Sequence, residues 1–499
     1  MMRFAGALVS AVLLSFCFPS GGLCWLAWLA FIPFLWGIRL AGIKGAFSAG
    51  YLAGLCFFLL TLFWIHHVTV VGLVFLSAYL ALYWGIFACA VGWSAGWPLS
   101  RRALFLPAIW VVLEYLRAHL LTGFGWSALA HTQSANIYFI QMADTFGTYG
   151  VSFVLMLFNV VVQGFWERKG RGDQKVFWVV AGLVLAVLAY GLWRVVSYPK
   201  QGRIRVALVQ GNISLADYWD PNLKSYVVDK HLALSRQALA QKPDLIVWPE
   251  TAFPQFMGDH PELMERVRAF VRTSRVRLML GAVTEQNGQY FNSALLMNAE
   301  GETEAVYHKQ HLVVFGEYIP FRQTFPWLSR LVPIDDFTPG SKLGIFNAGQ
   351  RRLFAPLVCF EDTIPELARA AVGQGAGFLV NMTNDAWFGA SRQARMHLDN
   401  AVFRAVENRV SLLRATNTGM SCAVLPTGEL AGCVKDAAGH SMLVEGVRVV
   451  DIPDGGSAIG VYRKYGDIFA LLCFMGILRI LVTSILIRGT KDDRSRACL

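Results

Sequence analysis

The amino-acid sequence predicts an α-helical membrane bundle joined to a layered α/β domain. Hydrophobic residues make up 55% of the 499-residue chain, charged residues make up 15%, and the mean hydropathy is +0.46. These values are too apolar for an ordinary water-soluble protein. The apolar excess is confined to residues 1–200 and 466–488, whereas residues 201–455 have the mixed composition of a soluble domain. One chain is therefore expected to occupy two environments, lipid and water.

About eight stretches are candidate membrane helices, because a helix needs roughly 20 apolar residues to cross the hydrocarbon core. They lie at residues 4–18, 22–38, 46–65, 70–97, 103–121, 149–167, 176–196 and 466–488. The first two are short, so a cleaved signal peptide over residues 1–24 is the alternative to a retained pair of short helices. We therefore expect three regions: a membrane bundle of about seven spans over residues 1–200, a water-soluble domain over residues 201–455, and a membrane helix with a tail over residues 456–499.

The loops between these stretches alternate in basic content, and cytoplasmic loops are the ones that collect Lys and Arg. Basic residues mark one set of connections, at Arg3, Arg39 to Lys44, Arg101 with Arg102, Arg168 to Lys175 and the tail from Arg488. The intervening loops, including residues 122–148, contain neither Lys nor Arg. Seven crossings then place residues 201–455 outside the cytoplasm. In a Gram-negative cell this is the periplasmic face of the inner membrane.

The formal net charge of +11 does not by itself indicate a nucleic-acid partner. No basic stripe, zinc-ligand spacing or recognition-helix pattern accompanies it. The nine cysteines are scattered and form no disulfide framework. Cys422 and Cys433 would lie outside the cytoplasm, where a disulfide persists, but the sequence leaves their pairing open. We expect no metal, no cofactor and no nucleic-acid partner. We also expect a monomer, because a membrane-anchored monomer needs no further interface.

Short β-branched runs alternate with amphipathic stretches from residue 204 onward, which is typical of a layered α/β domain. Strands are predicted at Ile204 to Gln210, Leu245 to Pro249, Leu278 to Thr284, Ser293 to Asn298, Phe354 to Cys359, Phe378 to Asn384 and Ser411 to Thr416. Helices are predicted from apolar residues at helical spacing, at Lys224 to Ala240, Pro261 to Thr273, Ile364 to Val372 and Arg392 to Asn408.

Three short motifs carry a carboxylate, an ammonium and a thiol near the ends of strands. They are Val247-Trp-Pro-Glu250, Tyr307-His-Lys309 and Leu357-Val-Cys359-Phe-Glu361-Asp362. Each ends or follows a strand, and strand ends converge on one crevice in a layered α/β fold. A thiol is mostly protonated at neutral pH and needs a base or a nearby cation to act as a nucleophile. Glu250 can accept the thiol proton, and Lys309 can stabilise a thiolate and an oxyanion.

In this order and context the three motifs resemble those of the nitrilase superfamily, whose members use a Glu, Lys, Cys triad. Within that superfamily the chain is similar to the apolipoprotein N-acyltransferase family over almost its whole length. The further similarities are Leu208-Val-Gln-Gly-Asn-Ile213, Phe315-Gly-Glu317-Tyr-Ile-Pro320, Asn381-Met-Thr-Asn384-Asp-Ala-Trp-Phe388 and Glu114-Tyr-Leu-Arg117 with Leu121-Thr-Gly-Phe124.

The resemblance implies an αββα sandwich with Glu250 as general base, Lys309 as stabiliser of the thiolate and oxyanion, and Cys359 as nucleophile. It also implies supporting or substrate-binding positions, at Trp219, Glu317, Tyr318, Phe360 and Glu361.

The resemblance further implies a two-step reaction. An acyl chain passes from a phospholipid, expected to be phosphatidylethanolamine at its sn-1 position, to the thiol. The resulting thioester is attacked by the α-amino group of a diacylglyceryl-cysteine at an apolipoprotein N-terminus, which completes lipoprotein maturation.

An aromatic stretch suggests how a thioester would be kept from water. Our hypothesis is a lid that dips into the membrane interface, formed by Tyr318, Phe321, Phe325, Trp327 and Leu328. Ordinary packing against the sandwich is the alternative for this stretch.

Two other functions remain open from the sequence. One is a membrane-tethered hydrolase of the nitrilase type acting on small amides or nitriles, against which the apolar spans argue because a soluble substrate does not need them. The other is a catalytically inactive transporter or scaffold, and the presence of all three triad residue types argues against it.

Overall fold

The computed structural model describes residues 2–19, 22–39, 41–168, 170–198, 204–254, 256–320, 322–324, 336–453, 455 and 460–496. Chain contacts divide the protein into a helical unit, Met1–Val196 with Tyr465–Leu499, and a second unit, Ser197–Lys464. Four of the five predicted lid residues, Phe321, Phe325, Trp327 and Leu328, lie outside the described residues.

The helical unit is built from apolar helices. Its described α-helices are α1 (Met2–Ser15), α2 (Ile32–Ile38), α3 (Ile43–Thr61), α4 (Val70–Trp93), α5 (Leu99–His119), α6 (Ala143–Arg168) and α7 (Arg171–Val196), with the last helix, Ile468–Arg496, after the second unit. Helix α6 is interrupted at Gly147, where φ is +65°.

Among the described residues, four helical stretches are long and apolar enough to cross a membrane: Ile43–Thr61, Val70–Trp93, Ile140–Glu167 and Arg171–Val196. Shorter apolar helices lie at Phe4–Ser15, Cys24–Ile38 and Ile468–Thr483. The stretch predicted at residues 103–121 is helical but carries the charged residues Glu114 and Arg117. The helices thus fit a membrane domain, and the number of about eight spans stays a prediction.

Small residues allow α3 and α4 to approach closely. A Cβ atom added at Gly50 would lie 2.5 Å from the Cβ of Ala88, and one added at Gly54 would lie 2.7 Å from the Cβ of Trp84. Close backbone approach through glycine is a common way for helices to pack in a membrane, where water does not drive them together.

The charged pair of α5 is buried inside the helical unit. The Glu114 carboxylate accepts hydrogen bonds from Trp110 Nε1 at 2.9 Å and from the backbone N–H of Leu129 at 2.7 Å. Arg117 donates to the backbone carbonyl of Trp126. Charges in an apolar region are costly unless they are paired or hydrogen-bonded, and protein groups here supply those bonds.

The second unit contains two six-stranded sheets. The first consists of β1 (Ile204–Gln210), β2 (Leu245–Val247), β3 (Arg277–Gln286), β4 (Gln289–Met297), β5 (Thr303–His308) and β12 (Gly446–Ile452), in the order β12-β1-β2-β3-β4-β5. The other consists of β6 (Phe346–Asn347), β7 (Leu353–Val358), β8 (Phe378–Thr383), β9 (Ser411–Thr416), β10 (Cys422–Val424) and β11 (Leu430–Ala431), in the order β11-β10-β9-β8-β7-β6. Three central strands run parallel in each sheet, and the flanking strands are antiparallel.

The helices that follow in this part of the chain are α8 (Leu215–Trp219), α9 (Lys224–Ala238), α10 (Pro261–Ser274), α11 (Pro365–Gly373), α12 (Gln393–Asn408) and α13 (Val461–Tyr465). Helices α9 and α10 pack on the first sheet, and α11 and α12 contact strands of the other sheet. Alternate side chains of strand β1 pack in two different layers of the domain. Val206 and Leu208 lie in a core shared by both sheets, whereas Ala207 and Val209 pack in the core beneath α9 and α10. A strand buried on both faces reads as a continuous apolar run.

The α-β-β-α layering agrees with the resemblance. All seven predicted strands are present, with ends shifted by a few residues. Five strands, β5, β6, β10, β11 and β12, were not predicted. Strands β6 and β11 have only two residues each, and β5 and β12 are edge strands with partly exposed side chains. Such strands lack the continuous apolar run on which the prediction depended.

Candidate active site

Each of the three predicted triad residues follows a strand of the second unit. Glu250 comes three residues after the end of β2, Lys309 directly follows β5, and Cys359 directly follows β7. Cys359 has φ +54° and begins the short 3₁₀ turn Cys359–Thr363. A non-glycine residue in this left-handed region is strained, and such strain is concentrated at functional sites. The tight strand-to-turn transition presents the thiol at the end of its strand.

The carboxylate of Glu250 is held by three neighbours. Asn292 Nδ2 donates to Glu250 Oε1 at 2.8 Å, and the backbone N–H of Asn384 donates to Oε2 at 2.9 Å. Lys309 Nζ lies 3.7 Å from Oε1. These contacts join β2, β4 and the ends of β5 and β8 around one carboxylate.

Glu317 is the nearest ionic partner of Lys309. Its Oε2 lies 2.8 Å from Lys309 Nζ, and its Oε1 accepts a hydrogen bond from Asn292 Nδ2 at 2.8 Å. The backbone N–H of Val313 donates to Oε2 at 2.8 Å. The Asn292 amide therefore links the two carboxylates that flank one ammonium group.

The thiol of Cys359 is partly buried beside both triad partners. Burial and the negative charge of Glu250 raise its pKa well above the ordinary value, while the positive charge of Lys309 acts in the opposite direction. Thr383 Oγ1 donates to Cys359 Sγ at 3.4 Å, and Asn381 Nδ2 donates to the Cys359 carbonyl at 2.8 Å. The resting thiol therefore favours its neutral form until its proton is taken.

The two ionic partners have the protonation behaviour of a base and a fixed cation. Burial raises the pKa of Glu250, with Glu317 adding to this effect and Lys309 opposing it. Burial alone would lower the pKa of Lys309, but Glu317, Cys359 and Glu250 raise it above its ordinary value. Glu250 thus holds a proton more readily than an ordinary glutamate, which suits a residue that accepts and returns one, whereas Lys309 stays charged.

Glu361 ties the loop after β5 to the turn after β7. Its fully buried carboxylate accepts hydrogen bonds from Tyr307 OH at 2.8 Å and from the backbone N–H groups of Gln310 and Val358 at 2.7 and 2.8 Å. Two segments adjacent to Lys309 and Cys359 are therefore anchored on one side chain.

The remaining predicted supporting residues differ in position. Phe360 lies in the turn beside Cys359, and Tyr318 is partly buried beside Glu317 in sequence. Trp219 ends α8, is 56% exposed and packs edge-on against Tyr218. In the described part of the chain, Trp219 does not belong to the hydrogen-bonded cluster around Lys309.

A buried charge network lies behind the nucleophile. Asp362 forms ion pairs with Arg414 and with His397, whose Nε2 lies 2.8 Å from Asp362 Oδ1. His397 Nδ1 lies 3.3 Å from Asp385 Oδ1. Thr383 Oγ1 lies 3.4 Å from the same oxygen, and because its hydroxyl has one proton it donates either to Asp385 or to Cys359. Thr383 thus connects this network to the sulfur of Cys359.

Sequence reasoning missed Asn292, Thr383 and the Asp362, His397 and Arg414 network as site residues. Asn292 belongs to no recognised motif and lies just outside the predicted strand Ser293 to Asn298. Thr383 lies within the motif from Asn381 to Phe388, but the sequence assigns it no role of its own.

The second unit belongs to a known class of fold and sequence. Residues 205–458 match the family model described as carbon-nitrogen hydrolase, which covers both sheets and all three triad positions. Residues 10–161 match the model described as the apolipoprotein N-acyltransferase N-terminal domain.

Curated relatives extend the match to nearly the whole chain. An apolipoprotein N-acyltransferase of Geobacter metallireducens is 38% identical over 493 residues, covering 94% of this chain and 93% of that protein. One of Methylococcus capsulatus is 32% identical over 359 residues, covering 69% of each chain. The chain therefore belongs to the apolipoprotein N-acyltransferase family. Among solved structures, an amidase from Nesterenkonia sp. is 22% identical with a TM-score of 0.37, over 52% of this chain and 94% of that one.

Proposed function

We propose that this protein transfers an acyl chain from a phospholipid, through a thioester on Cys359, to the α-amino group of the N-terminal diacylglyceryl-cysteine of apolipoproteins. The observation that carries the proposal is the convergence of Glu250 and Lys309 on the Cys359 thiol. The chain belongs to the apolipoprotein N-acyltransferase family, and it contains helices that are long and apolar enough to cross a membrane.

In the first step, Glu250 accepts the thiol proton as Cys359 Sγ attacks the ester carbonyl of the phospholipid. The carbonyl oxygen becomes an oxyanion, which the ammonium of Lys309 stabilises. When the tetrahedral intermediate collapses, the C–O bond breaks and Glu250 returns its proton to the departing glycerol oxygen. The products are a lysophospholipid and an acyl-Cys359 thioester.

In the second step, the acceptor amine attacks the thioester carbonyl and Glu250 accepts a proton from the amine. The C–S bond breaks, and an amide and the Cys359 thiol are formed when that proton reaches the sulfur. Because Cys359 carries the acyl group from the first substrate to the second, the reaction follows ping-pong kinetics.

The supporting residues are proposed to act through the triad. Glu317 holds Lys309 in its charged form, since its carboxylate is the nearest ionic partner of the ammonium. Glu361 fixes the turn on which Cys359 lies through its hydrogen bond from Val358. Trp219, Tyr318 and Phe360 are proposed to contact substrate rather than the triad, because their side chains are partly or largely exposed.

The orientation in the membrane is part of the proposal. The alternation of basic loops supports placing residues 201–455 on the periplasmic face of the bacterial inner membrane, between a bundle over residues 1–200 and a helix with a tail over residues 456–499. We further propose phosphatidylethanolamine as the donor, a monomer as the active form, and catalysis without a metal or cofactor.

The decisive experiment incubates purified full-length protein with phosphatidylethanolamine labelled in its sn-1 acyl chain. Mass spectrometry should find the label on the peptide containing Cys359, sensitive to hydroxylamine as a thioester is. The Cys359→Ala variant should carry no label, and the matched Cys473→Ala variant should be labelled like wild type. Adding a diacylglyceryl peptide should move the label to its N-terminus.

Other outcomes of this experiment favour the competing functions. Turnover of a small water-soluble amide with no lipid-derived acyl group on Cys359 would identify a membrane-tethered hydrolase. Unchanged biological function of the Cys359→Ala variant would identify a scaffold.

A further inference from the structure

Two cysteines of the second unit face each other away from the triad. Cys422 begins β10 and is fully buried, and Cys433 lies just beyond β11 and is partly exposed. Neither belongs to the hydrogen-bonded cluster around Lys309 or has a role in the proposed reaction.

The register of β10 and β11 places the two residues opposite each other. Ala423 pairs with Ala431, but the backbone N–H of Val434 donates to the carbonyl of Ser421 at 2.9 Å. The pairing has therefore shifted by one residue, so that Gly432 and Cys433 together oppose Cys422.

Gly432 provides the backbone conformation that this shift requires. Its φ is +57°, and a Cβ atom there would lie 2.0 Å from a methyl group of Val450. A glycine in the left-handed region at the first position of a two-against-one pairing is a recognised type of β-bulge. The bulge directs the next residue, Cys433, toward the strand that carries Cys422.

This geometry suits a covalent bond. Opposed residues of antiparallel strands have Cα atoms about 4.5–5.5 Å apart. Disulfides span Cα separations of about 4.4–6.8 Å. The two side chains also interact directly. The hydrogen bond between the two thiols and the nearby charges of Lys435, Arg395 and Arg448 lower the pKa of Cys433 to about 6, against the effect of burial.

We propose that Cys422 and Cys433 form a disulfide bond that closes the β10–β11 hairpin. The inference rests on the proposed periplasmic placement, because disulfides persist in that compartment. The oxidant is a protein disulfide of the thiol oxidoreductase class. Cys433, the more exposed and more acidic thiol, attacks it as a thiolate to form a mixed disulfide and release one thiolate. Cys422 then loses its proton, attacks the Cys433 sulfur and releases the second thiol, so two thiols are oxidised as one disulfide is reduced.

The bond would support the region behind the nucleophile. Cys422 pairs in register with Arg414 of β9, and Arg414 forms the buried ion pair with Asp362, which follows Cys359 in the same turn. A closed hairpin would hold β10 against β9 and so limit movement of Arg414. This makes the disulfide a structural support for the site and not a participant in the chemistry.

The test traps thiols in intact cells with acid and an alkylating reagent, purifies the full-length protein and maps its cysteines by mass spectrometry before and after reduction. Most chains should yield a peptide linked through Cys422 and Cys433. In the matched Cys433→Ser variant the link should be absent and Cys422 should be alkylated without reduction. Thermal inactivation of wild type should become faster after reduction, while that of the variant should not change.

In a parallel sample, purified and reduced protein is treated with oxidised glutathione. This tests whether the geometry allows the disulfide to form independently of the cellular compartment. Failure to form the link under both conditions would overturn the inference. A link that forms only with glutathione would also overturn it and would count against the periplasmic placement. Neither result would bear on acyl transfer, which labelling of Cys359 measures separately.

Discussion

The ammonium of Lys309 lies closer to Glu317, at 2.8 Å from Oε2, than to Glu250, at 3.7 Å from Oε1. Glu317 therefore carries most of the pairing that keeps Lys309 charged, which leaves the Glu250 carboxylate available for proton exchange. The separation of these two tasks between two carboxylates leads to the first two predictions.

Replacing Glu317 by Gln should slow acylation of Cys359 by about 10–100-fold, the usual range for losing an orienting partner. The amide keeps the shape of the side chain but removes the charge that raises the pKa of Lys309. Single-turnover labelling with phospholipid measures the effect. The exposed Glu262→Gln variant on α10 is the control, and an equal rate in both variants would contradict the role of Glu317.

Replacing Glu250 by Gln should slow acylation by about 10²–10⁴-fold, because Glu250 is the group proposed to accept the thiol proton. The base must be ionised to act, and burial raises the pKa of Glu250. The wild-type rate should therefore fall on acidification at a higher pH than for an ordinary glutamate. A pH–rate profile checks this, and an acid limb at the ordinary carboxyl pKa of about 4.3 would speak against Glu250 as the base.

Replacing Glu361 by Gln should destabilise the second unit by about 1–3 kcal/mol, the cost of leaving buried donors without an acceptor. The carboxylate accepts hydrogen bonds from Tyr307 and Gln310 on Oε1 and from Val358 on Oε2, and Gln replaces one of these two acceptor oxygens by an amide nitrogen that cannot accept. Denaturant unfolding measures the change. A variant as stable as wild type would show that these hydrogen bonds are dispensable.

His397 should make stability depend on pH above about 6.5, its ordinary pKa. Burial and the charge of Arg414 would lower its pKa, but the charge of Asp362 and the hydrogen bonds with Asp362 and Asp385 raise it above the ordinary value. A raised pKa in the folded state means that its contribution is complete below about pH 6.5, the unfolded value, and is lost as pH rises through the folded value. The free energy of unfolding should decline less with rising pH in His397→Gln than in wild type. Parallel curves for the two proteins would exclude this contribution.

Replacing both Trp327 and Leu328 by Ser should lower acyl transfer and raise the fraction of acyl groups lost to water, if these residues belong to a lid over the thioester. The stability of the second unit should stay the same. The ratio of acylated acceptor to free fatty acid measures the effect, and an unchanged ratio in lipid would remove the lid hypothesis.

The sequence alone was sufficient for features that depend on local pattern. The apolar run at Ile204 to Gln210 predicted a strand, and the spacing of apolar residues predicted α9 and α10. The motifs that contain Glu250, Lys309 and Cys359 identified three candidate groups. These predictions succeed because burial imposes a period on the side chains and because Glu250 and Cys359 lie at the ends of predicted strands.

Only the tertiary structure decided how the groups divide the work. Asn292 links Glu250 to Glu317, and Thr383 contacts Cys359, yet the residues of each of these contacts are at least 24 positions apart in the chain. The strands β5 and β12 were also not predicted from the sequence, because edge strands are partly exposed and carry no continuous apolar run. Hydrogen bonds between strands that are distant in sequence depend on register and sheet order. These are settled by the packing of the whole domain and not by any local segment.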